Sequence, residues 1–174
     1  IAVLQGTIGS SAEIGRTKGF KEGIKDQKNF KIIASQTGEF TQAKGQEVMQ
    51  SFLKKYKKDI NVVYCENDNE AFGAIDAIKA AGYEVGADKD MMVFSFDSTK
   101  EGLKKVQSGE ITLNTECNPL HGPRVEAIIK QLEKKAYVDE EMFAHDDTVK
   151  SVTVDGKEYP VTVVTDEVMG ARKY

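Results

Sequence analysis

Histidine and cysteine are scarce in this chain, with two of each among 174 residues. His121, His145, Cys65 and Cys117 show none of the short spacings that metal ligands need, so no metal site is expected. The two cysteines read as buried thiols rather than as one disulfide. No histidine lies near a serine or cysteine in any predicted loop, which leaves no nucleophile–base pair. Arginine is also sparse: Arg16, Arg124 and Arg172 are the three among 24 basic residues. The net charge of -4 and pI near 5.3 leave no electrostatic footprint for nucleic acid. No apolar run approaches the roughly 20 residues that cross a bilayer. The start carries neither Met nor a signal-peptide pattern and opens on the strand-like run IAVLQ. The expectation is a piece of a longer protein.

What the chain does have is a regular alternation. Apolar runs recur as IAVLQ from 1, KIIAS from 31, INVVYC from 60, MMVFSF from 91 and ITLN from 111. Each is rich in Val, Ile or aromatics and fits a strand buried on both faces. Amphipathic patterns lie between them. Phe20 and Ile24 share a face of the first, Val48, Met49, Phe52, Leu53 and Tyr56 line the second, and Ala71, Ala74, Ile75 and Ile78 line the third. Strand and helix repeating at about thirty residues predict an α/β fold, a doubly wound parallel sheet. Asn67-Asp68-Asn69-Glu70 and Ser98-Thr99-Lys100-Glu101 have the form of capping boxes, and Gly82 and Gly109 follow the third and fourth helices. A fifth helix is predicted near 121–135, with Pro123 in its first turn and Val125, Ile128, Ile129 and Leu132 on one face. Beyond it, Asp155-Gly156 between SVTV and KEYPVTVV predicts a C-terminal antiparallel hairpin.

Open parallel sheets bind ligands outside the carboxyl ends of their strands. The first such loop, GTIGSS, matches neither GxGxxG nor GxxxxGK[ST], which argues against a nucleotide. The other strand ends carry Phe40, Asn67, Asp97 and Glu116, and Arg16 lies in the first turns of helix one. Taken singly, each has a plain reading: Arg16 pairs with Glu13 on the surface, Asn67 and Asp97 cap helices, and Phe40 staples helix two. Taken together, they combine hydrogen-bond donors, acceptors and one aromatic plane, which suits a polyhydroxylated ring. Asp97 and Glu116 are also a carboxylate pair of the kind glycosidases use, but nothing marks either as a raised-pKa acid.

Four segments carry a family resemblance: LQGTIGSSAEIGRTKGFKEGI, ASQTGEFTQAKGQEVMQSFL, VVYCENDNEAFGAIDAIKAAG and VFSFDSTKEGLKKVQSGEITLNTECNP. Over roughly residues 1–136 the chain resembles the C-terminal portion of a bacterial ABC-transporter sugar-binding protein. That is the ribose-binding-like group of type 1 periplasmic binding proteins, with galactofuranose-binding proteins the nearest likeness. The resemblance implies one lobe of a two-lobed binding protein, without cofactor or enzymatic activity. The ligand would be a monosaccharide held by Arg16, Phe40, Asn67, Asp97 and Glu116. Where many members have FDGT this chain has FDST, which keeps the aspartate. The implied organisation is a C-terminal lobe over 1–118, a helix over 119–148 that packs on the missing N-terminal lobe, and a hinge return with a hairpin over 149–174. Implied partners are ABC permease subunits, in an extracytoplasmic setting, periplasmic or lipid-anchored. Without its partner lobe, the 121–135 helix is expected to dock back onto this lobe or to mediate self-association. The effector domain of a LacI-type repressor resembles the same fold and is the alternative.

Overall fold

Strand and helix alternate along most of the chain in the computed structural model, which describes residues 1–119, 121–133, 150–154, 157–161 and 163–171. In order they run β1 (Ala2–Gln5), α1 (Ser11–Ile24), β2 (Ala34–Thr37), α2 (Gln42–Tyr56), β3 (Val62–Cys65), α3 (Asp68–Ala80), β4 (Met92–Asp97), α4 (Lys100–Gln107) and β5 (Leu113–Glu116). The five strands form one sheet in the order β2-β1-β3-β4-β5. Every neighbouring pair is parallel. This is the expected doubly wound α/β sheet.

Strand order and chirality set the layers. The first crossover runs outward from β1 to β2, and the later ones run back across the sheet, so right-handed connections put α1 on one face and α2, α3 and α4 on the other. The residues agree. Leu4, Val63 and Val93 meet Val48, Met49, Ile75 and Ile78 in a closed core on the α2–α3 face. Burying each such side chain contributes about 1.5–3 kcal/mol. On the opposite face Phe20 of α1 stacks on Tyr64 of β3, with ring centroids 4.0 Å apart. Beside α1 that face stays open, as an apolar trough of about 340 Å³ lined by residues including Phe94, Phe96 and Leu113.

The expectation that every strand is buried on both faces is therefore corrected. β1 is closed in, but β2 and β5 are the sheet edges and carry exposed positions. β2 also begins at Ala34, inside the predicted run, after the Ile33 amide has bonded to the Ile1 carbonyl. Ile111 is buried just ahead of β5 rather than in it.

Tight helix contact depends on two glycines. A Cβ on Gly73 of α3 would run into the Gln42 carbonyl of α2, and one on Gly45 of α2 would stand 2.8 Å from the Glu70 backbone. The two helices thus cross almost backbone to backbone.

Past the sheet lies α5 (Gly122–Glu133). Its side chains Val125, Ile129 and Leu132 are 49%, 50% and 59% exposed. The expected docking of this face back onto the lobe is not found. β6 (Lys150–Val154) and β7 (Lys157–Val161) pair antiparallel. The predicted Asp155-Gly156 turn between them lies outside the described residues, as do His145 and most of the segment 119–148 beyond α5. A short helix α6 (Asp166–Ala171), which the sequence pattern did not suggest, returns to the lobe through a 2.7 Å bond from Gln107 Nε2 to Asp166 Oδ1. Among the described residues no helix is long and apolar enough to cross a membrane. Cys65 is buried as expected, whereas Cys117 is exposed at the end of β5, and both are free thiols. The pairing runs out there, and Cys117 has no core to enter.

Candidate functional site

Four helices start at the carboxyl edge of the sheet, each capped by a side chain. Ser10 accepts from the Glu13 amide, Thr41 from Lys44, Asn67 from Glu70 and Thr99 from Gly102. The cap of α4 is Thr99, one residue later than the predicted Ser98. Ser98 instead sits at φ 52, after Asp97 at φ 97. Two successive non-glycine residues with positive φ mark a strained strand end. That strain is held in place by Asn114 of β5, whose Oδ1 accepts from the Ser98 amide at 3.0 Å and its hydroxyl at 3.1 Å.

Arg16 is the centre of this edge. Its guanidinium donates to the Glu66 carbonyl and to Asp97 Oδ1, the latter at 2.9 Å. Its side chain is 14% exposed. The surface pairing with Glu13 is not what forms. Glu13 is itself buried and accepts from Gln5 Nε2 at 3.1 Å and the Gly9 amide at 3.2 Å. The guanidinium carbon also lies 5.0 Å from the Phe96 ring centroid and 5.8 Å from that of Phe40, within reach of cation–π attraction. Arg16 thus joins helix α1 to the ends of β3 and β4. Asp97 keeps a raised pKa because burial outweighs the opposing pull of Arg16.

Phe40 is not a staple. The residue four positions past the Thr41 cap is Gly45, which has no side chain to pack against. The Phe40 ring instead lies against Gly6, where any Cβ would strike it. Glu39 and Phe40 both have positive φ, 56 and 59.

Asn67 divides its amide between two tasks. Oδ1 accepts the Glu70 amide at 2.9 Å, which is the helix cap, and Nδ2 donates to the Phe40 carbonyl at 3.1 Å. A side-chain amide carries two N–H groups, of which the Phe40 carbonyl takes one. Glu116 stands beside Asp97 in the register of β4 with β5, on an exposed strand end. Arg16, Asp97, Phe40 and Asn67 therefore converge, with Glu116 at their margin.

The sequence reading missed a buried acidic layer beneath these residues. Glu66 is fully buried, accepting the Gly6 amide at 2.8 Å and the Thr17 hydroxyl at 2.5 Å. Burial raises its pKa against those bonds. Glu70, also fully buried, accepts the Phe40 amide at 3.0 Å and the Glu66 amide at 3.1 Å. Burial pushes its carboxyl up to about 7. Asp68 accepts from the Ser95 hydroxyl at 2.6 Å, the Thr99 amide at 2.8 Å and hydroxyl at 2.6 Å, and Asn114 Nδ2 at 2.5 Å. The signal available was the density of acids in CENDNE directly after an apolar run. Three carboxylates cannot all cap one helix, so some had to turn inward.

Chemically the edge offers a fixed cation, two carboxylates on neighbouring strand ends, a side-chain amide and an aromatic face. Groups of these kinds can hydrogen-bond hydroxyls in fixed directions and offer a flat face to C–H groups. Among the described residues no group of His, Cys, Asp and Glu is placed to hold a metal ion.

A family model described as periplasmic binding protein domain matches residues 1–120. The galactofuranose-binding protein YtfQ of Escherichia coli (strain K12) is 44% identical over 133 residues, covering 75% of this chain and 41% of that protein. A Mycobacterium smegmatis protein solved in complex with β-D-fucofuranose is 39% identical, with TM-score 0.72 over 79% of this chain and 44% of its own. The periplasmic binding component of the arabinose ABC transporter from Shewanella sp. ANA-3, solved with α- and β-L-arabinofuranose, is 42% identical, with TM-score 0.70 over 76% of this chain and 44% of its own. The chain spans less than half the length of each of these three proteins.

Proposed function

The chain belongs to the periplasmic binding protein domain family, and on that premise we propose that it is the sugar-gripping lobe of a two-lobed solute-binding protein of an ABC importer. The ligand is a monosaccharide, with a five-membered furanose ring as the class that the relatives' own ligands favour. Arg16, Phe40, Asn67, Asp97 and Glu116 are its contacts from this lobe. Residues 1–118 form the lobe, 119–148 pack on the other lobe, and 149–174 return through the hinge. The single observation that carries the reading is the half-buried Arg16–Asp97 pair beside the Phe40 ring at the carboxyl edge of the sheet.

The geometry suits capture without covalent change. A guanidinium has five N–H donors, of which the Glu66 carbonyl and Asp97 engage two. The rest serve ring hydroxyls, Asp97 and Glu116 accept from others, and Phe40 receives the apolar face. Closure of the second lobe removes water, and each hydrogen bond to a charged group then contributes about 1.5–3 kcal/mol. The closed form is what permease subunits in the membrane recognise, in an extracytoplasmic setting. One of the relatives named above is a component of an ABC transporter, which favours this reading over a LacI-type repressor domain, and the sugars that all three bind or hold favour it over an enzyme. Half a cleft grips weakly, so calorimetry of this chain alone with L-arabinose and D-fucose is expected to give no micromolar binding, while the two-lobed protein binds one of them. Equal, tight binding by the isolated lobe contradicts the clamp.

A further inference from the structure

The Phe40 peptide unit is gripped at both ends by the first turn of α3. Its amide donates to Glu70 Oε1 at 3.0 Å and its carbonyl accepts from Asn67 Nδ2 at 3.1 Å. Phe40 between these bonds and Glu39 just before them both have left-handed, positive φ, a conformation that L side chains disfavour. Neither residue is glycine or asparagine. Within the loop the Thr41 amide closes a turn on the Gly38 carbonyl at 3.0 Å and the Glu39 amide donates to Thr37 Oγ1 at 3.1 Å, but the amide and carbonyl of Phe40 itself are held from outside it.

The surroundings are shaped for Glu70 to supply it. Gly38 leaves room for the carboxylate, because a Cβ there would stand 2.7 Å from Oε1. The amides of Phe40 and Glu66 donate to its two oxygens at 3.0 and 3.1 Å, and such a group accepts without donating only while ionised. We propose that Glu70 is a positioning residue for the aromatic platform, its carboxylate holding Phe40 in the left-handed conformation that lays the ring over Gly6 beside Arg16. The relevance of that platform to a sugar rests on the function proposed above, but the hold itself does not.

The titratable groups that face Glu70 are Glu66, at the end of β3, and the buried Cys65 thiol. α2 meets this part of α3 through the backbone-to-backbone approach at Gly45, and the loop through Gly38 and the Phe40 amide. Protonation places an O–H where the Phe40 and Glu66 amides donate, so the hold weakens as pH falls through about 7.

The test is amide hydrogen exchange in the full 174-residue chain, as protection factors corrected for intrinsic exchange. Glu70→Gln keeps the shape but has one acceptor oxygen where the carboxylate has two. It is expected to lower protection of the Phe40 amide at least about tenfold, with Met49 and Ile75 in the helix core unchanged. In the unmodified chain, Phe40 protection is expected to fall relative to that of Met49 and Ile75 between pH 8 and pH 5, and the variant is expected to show no such step. Phe40 protection that survives the substitution overturns the proposal, and so does a loss shared equally by Met49 and Ile75. Should the variant not fold, the pH series on the unmodified chain decides alone. In the two-lobed protein titrated with L-arabinose, Glu70→Gln is expected to weaken affinity on its own and to add nothing on a Phe40→Ala background. An undiminished further loss on that background contradicts action through Phe40. Absence of L-arabinose binding in every variant counts against the sugar reading and leaves the exchange result standing for Glu70.

Discussion

Asp68 and Glu70 lie two residues apart in the first turn of α3 and grip different parts of the site. Asp68 takes four hydrogen bonds from Ser95, Thr99 and Asn114, tying β4, α4 and β5 together behind Asp97. Bonds to a carboxylate contribute about 1.5–3 kcal/mol each, and donors left buried without a partner add their own cost. Asp68→Ala is therefore expected to lose at least about 3 kcal/mol of stability in urea unfolding. A loss within about 0.5 kcal/mol, the range of an ordinary surface change, contradicts this account of the strand ends. Arg16 teaches a related lesson. From sequence, Glu13 was the near partner, three residues away, and the surface pairing was the plain reading. The actual partners, Asp97 and the Glu66 carbonyl, are 81 and 50 positions distant. Such a pairing becomes legible only once β1, β3 and β4 are known to be neighbours, or through a family resemblance that already contains the fold.

Elements were the most legible level. Apolar runs and helical spacing marked all five parallel strands and the helices between them, because the core needs those patterns and few alternatives satisfy them. Edges were less legible. β2 and β5 read as buried strands because Val, Ile and Leu content does not say which strand lies outermost. The cap of α4 was misplaced by one residue because Ser98 and Thr99 are both good caps, and the left-handed turn at Asp97–Ser98 decided between them. The close crossing of α2 and α3 was not legible either, since a glycine inside a helical pattern first reads as a weak point. Here Gly73 is a contact surface. Gly73→Ala improves helix propensity but drives a methyl group into the Gln42 carbonyl. Overpacking is expected to win, at about 1–3 kcal/mol of lost stability. Thermal unfolding of the variant at or above the original midpoint contradicts the backbone-to-backbone crossing.

At the scale of the whole molecule, buried acids set an unusual pH dependence. Glu66, Glu70 and Asp97 all have raised carboxyl pKa values, first through burial. A raised carboxyl binds its proton more tightly folded than unfolded. For Glu70 that contribution is complete below the ordinary value of 4.5 and is lost as pH climbs through about 7. For Glu70 the loss is on the order of 3 kcal/mol. Glu110, lowered by Lys105 and Lys79, works in the opposite sense from a partly exposed position and is the smaller effect. The thermal midpoint is expected to fall from pH 5 to pH 8, with a shallower slope in Glu70→Gln, and a midpoint that rises over this range contradicts the buried acidic layer. Such a cost at neutral pH, beneath a rigid and partly strained edge, is what a site selected for binding geometry rather than stability would carry. The most direct test of that binding role is calorimetric titration of the two-lobed protein with L-arabinose, D-fucose, D-galactose and D-ribose, beside Arg16→Ala and Asp97→Ala. The account predicts that one sugar binds tightly and that each substitution weakens it by about 10- to 150-fold without unfolding the lobe. Binding indifferent to both substitutions, or no binding across the panel, contradicts it.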